Sequence, residues 1–372
     1  MPLPRLLLLL ALASPAAFAA PGNATPDDGS PSDGWPAARA ADTAFEPARL
    51  KTLDVRLGDG SLKQLTSVMV VQRGQPVYER YFNGADAGTL HDVRSATKSV
   101  TALLVGAAID RGLLPGVQDR VYDRFPQFTA RHEVDPRLRA TTLADLLTMS
   151  SQWECNDENP FSSGNEERMY VTERWLDFAL ALPVKGYAPW MSKPADSPHG
   201  RAFAYCTAGS FVAGAVVERA AGKPLAEFAA ETLERPLGIA RSQWNRSPEG
   251  IGMGGGGTRY RTRDLAKFGQ LVVDHGRWQG RQVISADYIA AMTSEQAKAD
   301  DDAEYGYQWW RLHFDVGGRD VAAWAMSGNG GNYVMVVPER QLVAVITSTA
   351  YNQRNGHTQS REIFRELLAA LR

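Results

Sequence analysis

Segments with β-strand composition lie near the two ends of this chain, and segments with helical periodicity fill the stretch between them. Residues 66–72 and 76–82 are rich in β-branched and aromatic residues and are separated by Arg73-Gly74-Gln75, which predicts a hairpin. Segments of the same β-strand composition occur at 321–326, 333–337 and 342–347, and an amphipathic helix is predicted near 360–371. This order predicts an α+β fold in which one sheet is built from both ends of the chain.

Apolar residues recur at helical spacing through the middle of the chain. The predicted helices are 95–111, 142–148, 172–182, 208–221, 225–232, 262–274 and 285–293. We expect the sheet over about 50–90 and 305–370 and a mostly helical second lobe over about 95–300. The functional groups are expected in the crevice between them.

The first residues have the pattern of a secretory signal peptide. An apolar run from Leu6 to Ala13 follows Arg5, and Ala17-Phe18-Ala19 offers small residues at a cleavage position. We expect a signal peptide at 1–19, a flexible leader rich in Pro, Gly, Ala, Asp and Ser at 20–44, and the folded domain at 45–370. The expected location is periplasmic or secreted, with an uncleaved anchor as the alternative.

Composition and spacing argue against several other classes of protein. The net charge is −2 and no basic stripe alternates with aromatic residues, so nucleic acid is not an expected partner. No second apolar run reaches membrane length, so we expect no stable membrane insertion after signal cleavage. The six histidines are dispersed and the cysteines form no cluster, which argues against a metal site. No Gly-x-Ser-x-Gly segment occurs, so the usual nucleophile elbow of an α/β-hydrolase is missing.

A serine and a lysine three residues apart stand at the start of one predicted helix. Ser95-Ala96-Thr97-Lys98 is followed by an apolar run over 100–108. Residues three apart on a helix are surface neighbours, so we expect the Lys98 amine within hydrogen-bond reach of Ser95 Oγ. A neutral lysine there can accept the proton that a serine nucleophile must lose, and the helix N-terminus favours developing negative charge. The pattern alone arises by chance about once in a chain of this length, so other motifs must support it.

Two further motifs follow in order. Tyr205-Cys206-Thr207 precedes another apolar helical run, and Ser327-Gly328-Asn329-Gly330-Gly331-Asn332 lies between two predicted strands. In this order and at these separations, the three motifs resemble those of the serine beta-lactamase and penicillin-binding-protein superfamily. The resemblance covers about residues 45–370 and is greatest to the branch of class C beta-lactamases, esterases and 6-aminohexanoate-oligomer hydrolases.

The resemblance implies a beta-lactamase-like fold, with an antiparallel sheet from both termini flanked by helices, and a reaction that needs no cofactor. It places Tyr205 beside Ser95 and Lys98, where the phenol and the amine share one proton. Which of the two removes the serine proton stays open, because a coupled pair resists single-residue assignment. Oxyanion donors are expected from the Ser95 N–H and from the third motif, where Asn329 and Gly330 are the candidates.

The chain departs from the family pattern at two positions. Thr207 stands where many relatives have Asn; it can still donate to a substrate carbonyl but lacks the two-sided hydrogen bonding of an amide. Ser327-Gly328-Asn329 stands where many have Lys-Thr-Gly or His-Thr-Gly, so the cation that helps to hold a substrate carboxylate is missing. This favours an ester or amide substrate without that carboxylate, unless Arg259 or Arg261 substitutes from a neighbouring loop.

The segment over 153–170 is polar, acidic and too long for a tight turn. By resemblance to the oligomer hydrolases it should overhang the cleft, with Trp153, Asp157 and Tyr170 as candidate substrate contacts. Its acidic character suits a substrate amine, and a solvated loop is the alternative for each single residue.

The chain has two cysteines, Cys155 and Cys206. Export places them in an oxidising compartment, so we expect a disulfide that ties the Tyr205 segment to the loop beginning at Trp153. Closing a loop of this size restricts the unfolded chain by about 4 kcal/mol. Two buried free thiols are the alternative.

Together these features predict an exported serine hydrolase that forms an acyl-enzyme on Ser95 and cleaves a small ester or a linear amide. Lys98 and Tyr205 manage the proton, and water releases the acyl group. The expected partner is a small-molecule ester, an amide or a compound derived from the cell wall. Two alternatives stay open: a non-catalytic sensor of the penicillin-binding type, and a D-alanyl peptidase or weak beta-lactamase.

Overall fold

A computed structural model describes residues 33–36, 44–187, 190, 202–353 and 355–372. The predicted signal peptide lies outside the described residues. Trp35, from the predicted leader, is buried against Trp278 with ring centroids 4.9 Å apart, and its Nε1 donates to the Arg263 carbonyl at 3.0 Å. The segment predicted as a flexible leader therefore contains a residue that packs on the domain, because one indole supplies a large apolar surface.

The described residues contain twelve strands. They are β1 (Leu65–Gln72), β2 (Gln75–Tyr81), β3 (His91–Asp92), β4 (Arg259–Tyr260), β5 (Arg277–Trp278), β6 (Arg281–Gln282), β7 (Ala297–Asp300), β8 (Ala303–Tyr305), β9 (Trp310–Asp315), β10 (Asp320–Gly328), β11 (Asn332–Val337) and β12 (Leu342–Ser348). Eight of them form one antiparallel sheet in the order β2-β1-β12-β11-β10-β9-β8-β7, while β3 pairs with β4 and β5 with β6. The pairing of β1 with β12 confirms the prediction that both ends of the chain build the sheet.

Helices occupy the stretch between the two groups of strands and both flanks of the sheet. They are α1 (Pro47–Gly58), α2 (Thr97–Asp110), α3 (Pro126–Thr129), α4 (Pro136–Arg139), α5 (Leu143–Leu147), α6 (Glu166–Tyr170), α7 (Trp175–Leu180), α8 (Thr207–Ala221), α9 (Leu225–Ala229), α10 (Thr262–Val273), α11 (Ala286–Met292) and α12 (Asn355–Ala370). Short 3-10 turns lie at Arg94–Ala96, Tyr122–Arg124 and Pro338–Arg340, and a π-helical turn follows α9 at Ala230–Glu234. Within the described residues, none of these helices combines the length and the apolar character needed to cross a membrane.

The edges of the sheet differ from the sequence prediction. The segment 47–58 forms α1 instead of the first part of the sheet, with a proline in its first turn and Leu53 and Leu57 buried one turn apart. At the other edge, β7 and β8 extend the sheet over residues 297–305, whereas the sequence predicts the helical lobe to continue to about residue 300.

The sheet is buried on both faces by different parts of the chain. Met69 and Val71 of β1 belong to the core shared with the helical lobe, whereas Val68 and Val70 belong to a second core with α1 and α12. Neighbouring side chains along a strand point to opposite faces. Burial on both faces therefore explains why β1 is a continuous apolar run and not an alternating one.

A buried group of five polar side chains joins the sheet to α10. His91 Nδ1 lies 3.3 Å from the Thr66 hydroxyl, and His91 Nε2 lies 3.1 Å from the Thr262 hydroxyl. The Thr66 hydroxyl is hydrogen-bonded to the Thr347 hydroxyl, and the Thr262 hydroxyl donates to Ser67 Oγ. Burial lowers the pKa of His91 to about 4, because this site is closed to the water that would solvate a charged ring.

We predict that the protein loses stability as the pH falls from 6.5 to about 4. In this window the unfolded state binds the His91 proton and the folded state does not, so the free energy of unfolding rises with pH. The contribution of His91 to the free energy of unfolding is fully present above pH 6.5 and amounts to about 3 kcal/mol. Urea unfolding at several pH values, followed by tryptophan fluorescence, measures it in wild type and in His91→Gln. An equal pH dependence in the two proteins contradicts this assignment to His91.

Candidate active site

Ser95 lies in a short turn that leads directly into α2. Arg94–Ala96 form one turn of 3-10 helix, which Asp92 Oδ1 holds by accepting the Arg94 N–H at 3.0 Å. The Thr97 hydroxyl donates to the Arg94 carbonyl at 2.7 Å. Arg94 has a φ of +49°, in the left-handed region that residues other than glycine rarely adopt. The turn is thus fixed on both sides of Ser95.

Lys98 is 1% exposed, and three acceptors enclose its side-chain nitrogen. Lys98 Nζ lies 3.1 Å from Ser95 Oγ, 2.9 Å from Thr207 Oγ1 and 2.7 Å from the Gly255 carbonyl oxygen. A charged lysine has three N–H donors, so these contacts use its full capacity. The Ser95–Lys98 contact expected from their spacing is present.

Tyr205 approaches Lys98 from a distant part of the chain. Lys98 Nζ lies 4.8 Å from the centroid of the Tyr205 ring. The same ring stacks on Trp310, with centroids 5.8 Å apart and 27° between the ring planes. Tyr205 and Ser95 line the same part of a cleft. The structure therefore brings Ser95, Lys98 and the Tyr205 ring to one site, while the proton sharing between Lys98 and Tyr205 that the resemblance implies stays a prediction.

Two glycines shape the turn between β10 and β11 beside Ser95. A Cβ on Gly328 would lie 2.0 Å from the Val93 carbonyl oxygen, so only glycine allows β10 to approach the Ser95 turn this closely. Gly330 has a φ of +89°, and a Cβ there would meet the Tyr351 ring at 2.9 Å.

Asn329, between these glycines, is held by Asn352. Asn329 Oδ1 accepts the Asn352 N–H at 2.8 Å, and Asn329 Nδ2 donates to Asn352 Oδ1 at 2.7 Å. No group among the described residues accepts a hydrogen bond from the backbone N–H of Ser95 or of Asn329. Both N–H groups belong to residues that line the cleft.

The cleft has two adjoining halves, with volumes of about 410 Å³ and 450 Å³. Both halves are lined by Ser95, Glu166, Asn329 and Asn352. The first half is also lined by Arg94, Glu167, Tyr170, Trp175, Asn245, Arg246, Met253, Gly255, Gly256 and Gly257. The second is also lined by Glu158, Tyr205, Trp310, Ser327, Gly328, Tyr333, Gln353, His357 and Arg361. The cleft thus carries charges of both signs.

The cations of the cleft differ from those that the sequence indicated. Arg259 and Arg261 are paired with neighbouring carboxylates and line neither half. Arg361 lines the second half from α12, and its Nε donates to the Tyr333 hydroxyl at 3.2 Å. Within the described part of the chain, no carboxylate forms an ion pair with Arg361.

The loop over 153–170 contributes different residues from those expected. Trp153 is 1% exposed and packs against Tyr122 in the core of the helical lobe, so it makes no substrate contact from there. Tyr170 does line the cleft, and its hydroxyl donates to Glu166 Oε2 at 2.9 Å. Burial, reinforced by the Glu166 carboxylate, raises the pKa of Tyr170. The loop begins inside the core, which explains why its first residue does not reach the cleft.

Asp157 and Thr207, two further candidates for substrate contact, are bonded within the protein. Thr207 is 1% exposed, so its hydroxyl does not reach a substrate carbonyl; the hydroxyl oxygen accepts a hydrogen bond from Lys98 Nζ instead. Asp157 Oδ2 accepts the Thr207 N–H at 2.7 Å, and Asp157 Oδ1 accepts the Glu166 N–H at 3.0 Å. Neither residue lines the cleft.

Cys155 and Cys206 form the expected disulfide, with their Cα atoms 5.5 Å apart. Cys206 is the N-cap of α8, and its Sγ accepts the Gly209 N–H at 3.2 Å. The bond therefore joins the start of α8 to the loop that leads into α6.

We predict that loss of this disulfide lowers the free energy of unfolding by about 4 kcal/mol, because it closes a long loop in the unfolded chain. The double variant Cys155→Ser with Cys206→Ser tests this by urea unfolding beside the oxidised wild type. Intact mass before and after reduction establishes the redox state of each sample. An oxidised wild type that unfolds at the same urea concentration as the double variant contradicts the prediction.

Comparison with known proteins agrees with this architecture. A model of the Beta-lactamase family matches residues 64–367. The chain is 26% identical over 286 residues to the 6-aminohexanoate-dimer hydrolase of Paenarthrobacter ureafaciens, which covers 72% of this chain and 71% of that protein. A penicillin-binding-protein homologue from Caulobacter crescentus has a similar fold, with a TM-score of 0.65, 16% identity, and coverage of 90% of this chain and 98% of that one. A family VIII carboxylesterase gives a TM-score of 0.63 and 19% identity, with coverage of 88% and 97%.

The family match over most of the chain, together with the antiparallel sheet and its helical lobe, defines the class of this protein as a serine hydrolase. The chain belongs to the Beta-lactamase family. This confirms the resemblance that its three motifs indicated.

Proposed function

We propose that this protein hydrolyses a small linear amide or ester through an acyl-enzyme on Ser95. The observation that carries the proposal is the position of Lys98 Nζ, 3.1 Å from Ser95 Oγ with the Tyr205 ring beside it. Ser95 Oγ attacks the carbonyl carbon while its proton passes to the Lys98–Tyr205 pair, which then protonates the leaving amine or alcohol. Water attacks the acyl carbon and gives a proton to the same pair, which returns it to Ser95 Oγ as the acyl C–Oγ bond breaks and the carboxylic acid leaves. None of these steps uses a cofactor.

Two backbone N–H groups are suited to stabilise the oxyanion. The Ser95 N–H lies at the N-terminal end of α2, where the helix dipole favours negative charge. For the second donor we favour Asn329 over Gly330. The Asn329 N–H has no acceptor among the described residues, and Asn329 lines both halves of the cleft, whereas Gly330 packs against Tyr351.

The charges of the cleft favour a linear amide that carries both an amine and a carboxylate. Glu158 and Glu166 line the same half as Tyr205 and suit an ammonium group, while Arg361 in that half suits a carboxylate. The relative from Paenarthrobacter ureafaciens is named for hydrolysis of the dimer of an amino acid, 6-aminohexanoate. Arg361 thus takes the place of the cation that the third motif lacks. The N-terminal pattern and the disulfide support export of the enzyme to an oxidising compartment.

We predict that Ser95→Ala lowers kcat by about 10³-fold or more and that Tyr205→Phe lowers it by about 10²-fold or more. Release of a new amine from the linear 6-aminohexanoate dimer and hydrolysis of p-nitrophenyl butyrate measure the two activities. Ser163→Ala, which changes an exposed serine of the loop before α6, is the matched control and keeps the wild-type rate. A Ser95→Ala protein as active as wild type contradicts the proposal.

Arg361 makes a separate prediction about specificity. Arg361→Ala should raise KM for the acid-bearing dimer about tenfold, the value of one charge-assisted hydrogen bond, and leave KM for the neutral ester within about twofold. Arg246→Ala, in the other half of the cleft, is the comparison variant. If Arg361→Ala changes KM equally for the dimer and the ester, Arg361 does not bind the substrate carboxylate.

A sensor of the penicillin-binding type is the second candidate, because the fold is similar to that of a penicillin-binding-protein homologue. Steady turnover of either substrate supports the enzyme. A stable penicillin adduct on Ser95 without turnover of any substrate supports the sensor. Release of D-alanine from a cell-wall stem peptide in preference to both substrates supports a D-alanyl peptidase.

A further inference from the structure

Asp157 connects the loop before α6 to the segment that carries Tyr205 and Thr207. Its N–H donates to the Tyr205 carbonyl at 2.8 Å, and its two carboxylate oxygens accept the Thr207 and Glu166 N–H groups at 2.7 and 3.0 Å. Asn165 Nδ2 donates to its carbonyl at 2.9 Å. Every polar group of Asp157 is therefore bonded within the protein.

The Asp157 carboxylate lies at the N-terminus of α8. This helix has 15 residues, and its first N–H groups have no intrahelical acceptor and carry the positive end of the helix dipole. The Cys206 sulfur that caps it is a weak acceptor. Asp157 supplies a charged acceptor directly to Thr207, the first helical residue, and so fixes where α8 begins.

The same carboxylate is linked to Lys98 through Thr207 and interacts with its charge. Thr207 bridges the two, because its N–H donates to Asp157 and its hydroxyl is bound to Lys98 Nζ. Burial raises the pKa of Asp157, the charge of Lys98 opposes this rise, and the Glu166 carboxylate adds to it.

The other ionisable groups around this pair come from two neighbouring elements. The Tyr205 phenol belongs to the segment before α8, and its ring faces Lys98. Glu166 and Tyr170 lie on α6 and are bonded to each other; the Glu166 carboxylate acts on Asp157, and both carboxylates act on the Tyr170 phenol. Asp157 is hydrogen-bonded to both residues of this segment that contact Lys98. Its carboxylate accepts the Thr207 N–H, and its own N–H donates to the Tyr205 carbonyl.

We propose that Asp157 is a positioning residue, which aligns Thr207 and Tyr205 with Lys98 and supplies the counter-charge that sets the proton affinity of the Lys98–Tyr205 pair. This inference rests on the proposed function of that pair. A negative charge beside the pair increases its affinity for the shared proton, so the pair becomes available as a base only at higher pH. Removing the charge moves that point to lower pH.

The test compares two substitutions of Asp157 by their pH–rate profiles. Asp157→Asn removes the charge and keeps the side-chain shape with one of the two acceptor oxygens, so the acidic limb of kcat/KM should move to lower pH by about one unit. Asp157→Ala also removes the bonds to Thr207 and Glu166, so kcat should fall at least tenfold with KM within about threefold of wild type. Glu154→Gln removes a carboxylate from the same loop, where it binds Ser162, and should leave the limb in place. An Asp157→Asn profile that superimposes on the wild type overturns the proposal.

A second measurement does not require turnover. The reaction of Ser95 with a fluorophosphonate, followed by intact mass at several pH values, should move to lower pH by about one unit in Asp157→Asn. An unchanged pH dependence of this reaction overturns the counter-charge role whether or not the protein hydrolyses a substrate. Failure of the proposed function is distinct, because it shows in the wild type as the absence of hydrolysis and of acylation at Ser95.

Discussion

The burial of the Lys98 ammonium group is the constraint on which the site depends. A buried charge is tolerated only when its donors are paired. The three acceptors come from the start of α2, the start of α8 and the glycine-rich segment that contains Gly255. Glycine is required in that segment, since a Cβ on Gly255 would lie 2.8 Å from the Thr207 methyl group. Satisfying one buried cation therefore holds together three segments that are far apart in sequence.

The second constraint is the close approach of the sheet to the Ser95 turn. Gly328 lets the end of β10 lie against Val93, which brings the Asn329 N–H to the same cleft as Ser95. The cleft is thus bounded by the sheet on one side and by α6 and the helical lobe on the other. On the side of the helical lobe, the Asp157 hydrogen bond and the Cys155–Cys206 disulfide fix the loop before α6 to the start of α8, next to Lys98.

Features set by local periodicity and spacing were predictable from the sequence. The hairpin of β1 and β2, the helices α2, α8 and α10, and the i, i+3 contact of Ser95 with Lys98 all follow from residues close together in the chain. The disulfide followed from an expected oxidising compartment and a count of two cysteines. The segment at 47–58 was misassigned to the sheet because its partner, α12, lies at the other end of the chain.

The direction in which each loop residue points was not predictable. The sequence predicts Trp153 and Asp157 as substrate contacts because they belong to a polar loop. In the structure Trp153 lies in the core, and Asp157 accepts hydrogen bonds from backbone N–H groups. Arg361 and Trp310 had no motif to mark them, because their place in the cleft depends on how α12 and β9 pack. Such positions depend on long-range packing, which a single sequence does not encode locally.

The most direct test of the account is the site at which a fluorophosphonate reacts with the intact protein. Peptide mapping should find one phosphonyl group, on Ser95, and Lys98→Ala should slow its formation by about 10²-fold or more while the fold is retained. Attachment to a different residue, or an unchanged rate in Lys98→Ala, would contradict the claim that the buried lysine activates Ser95.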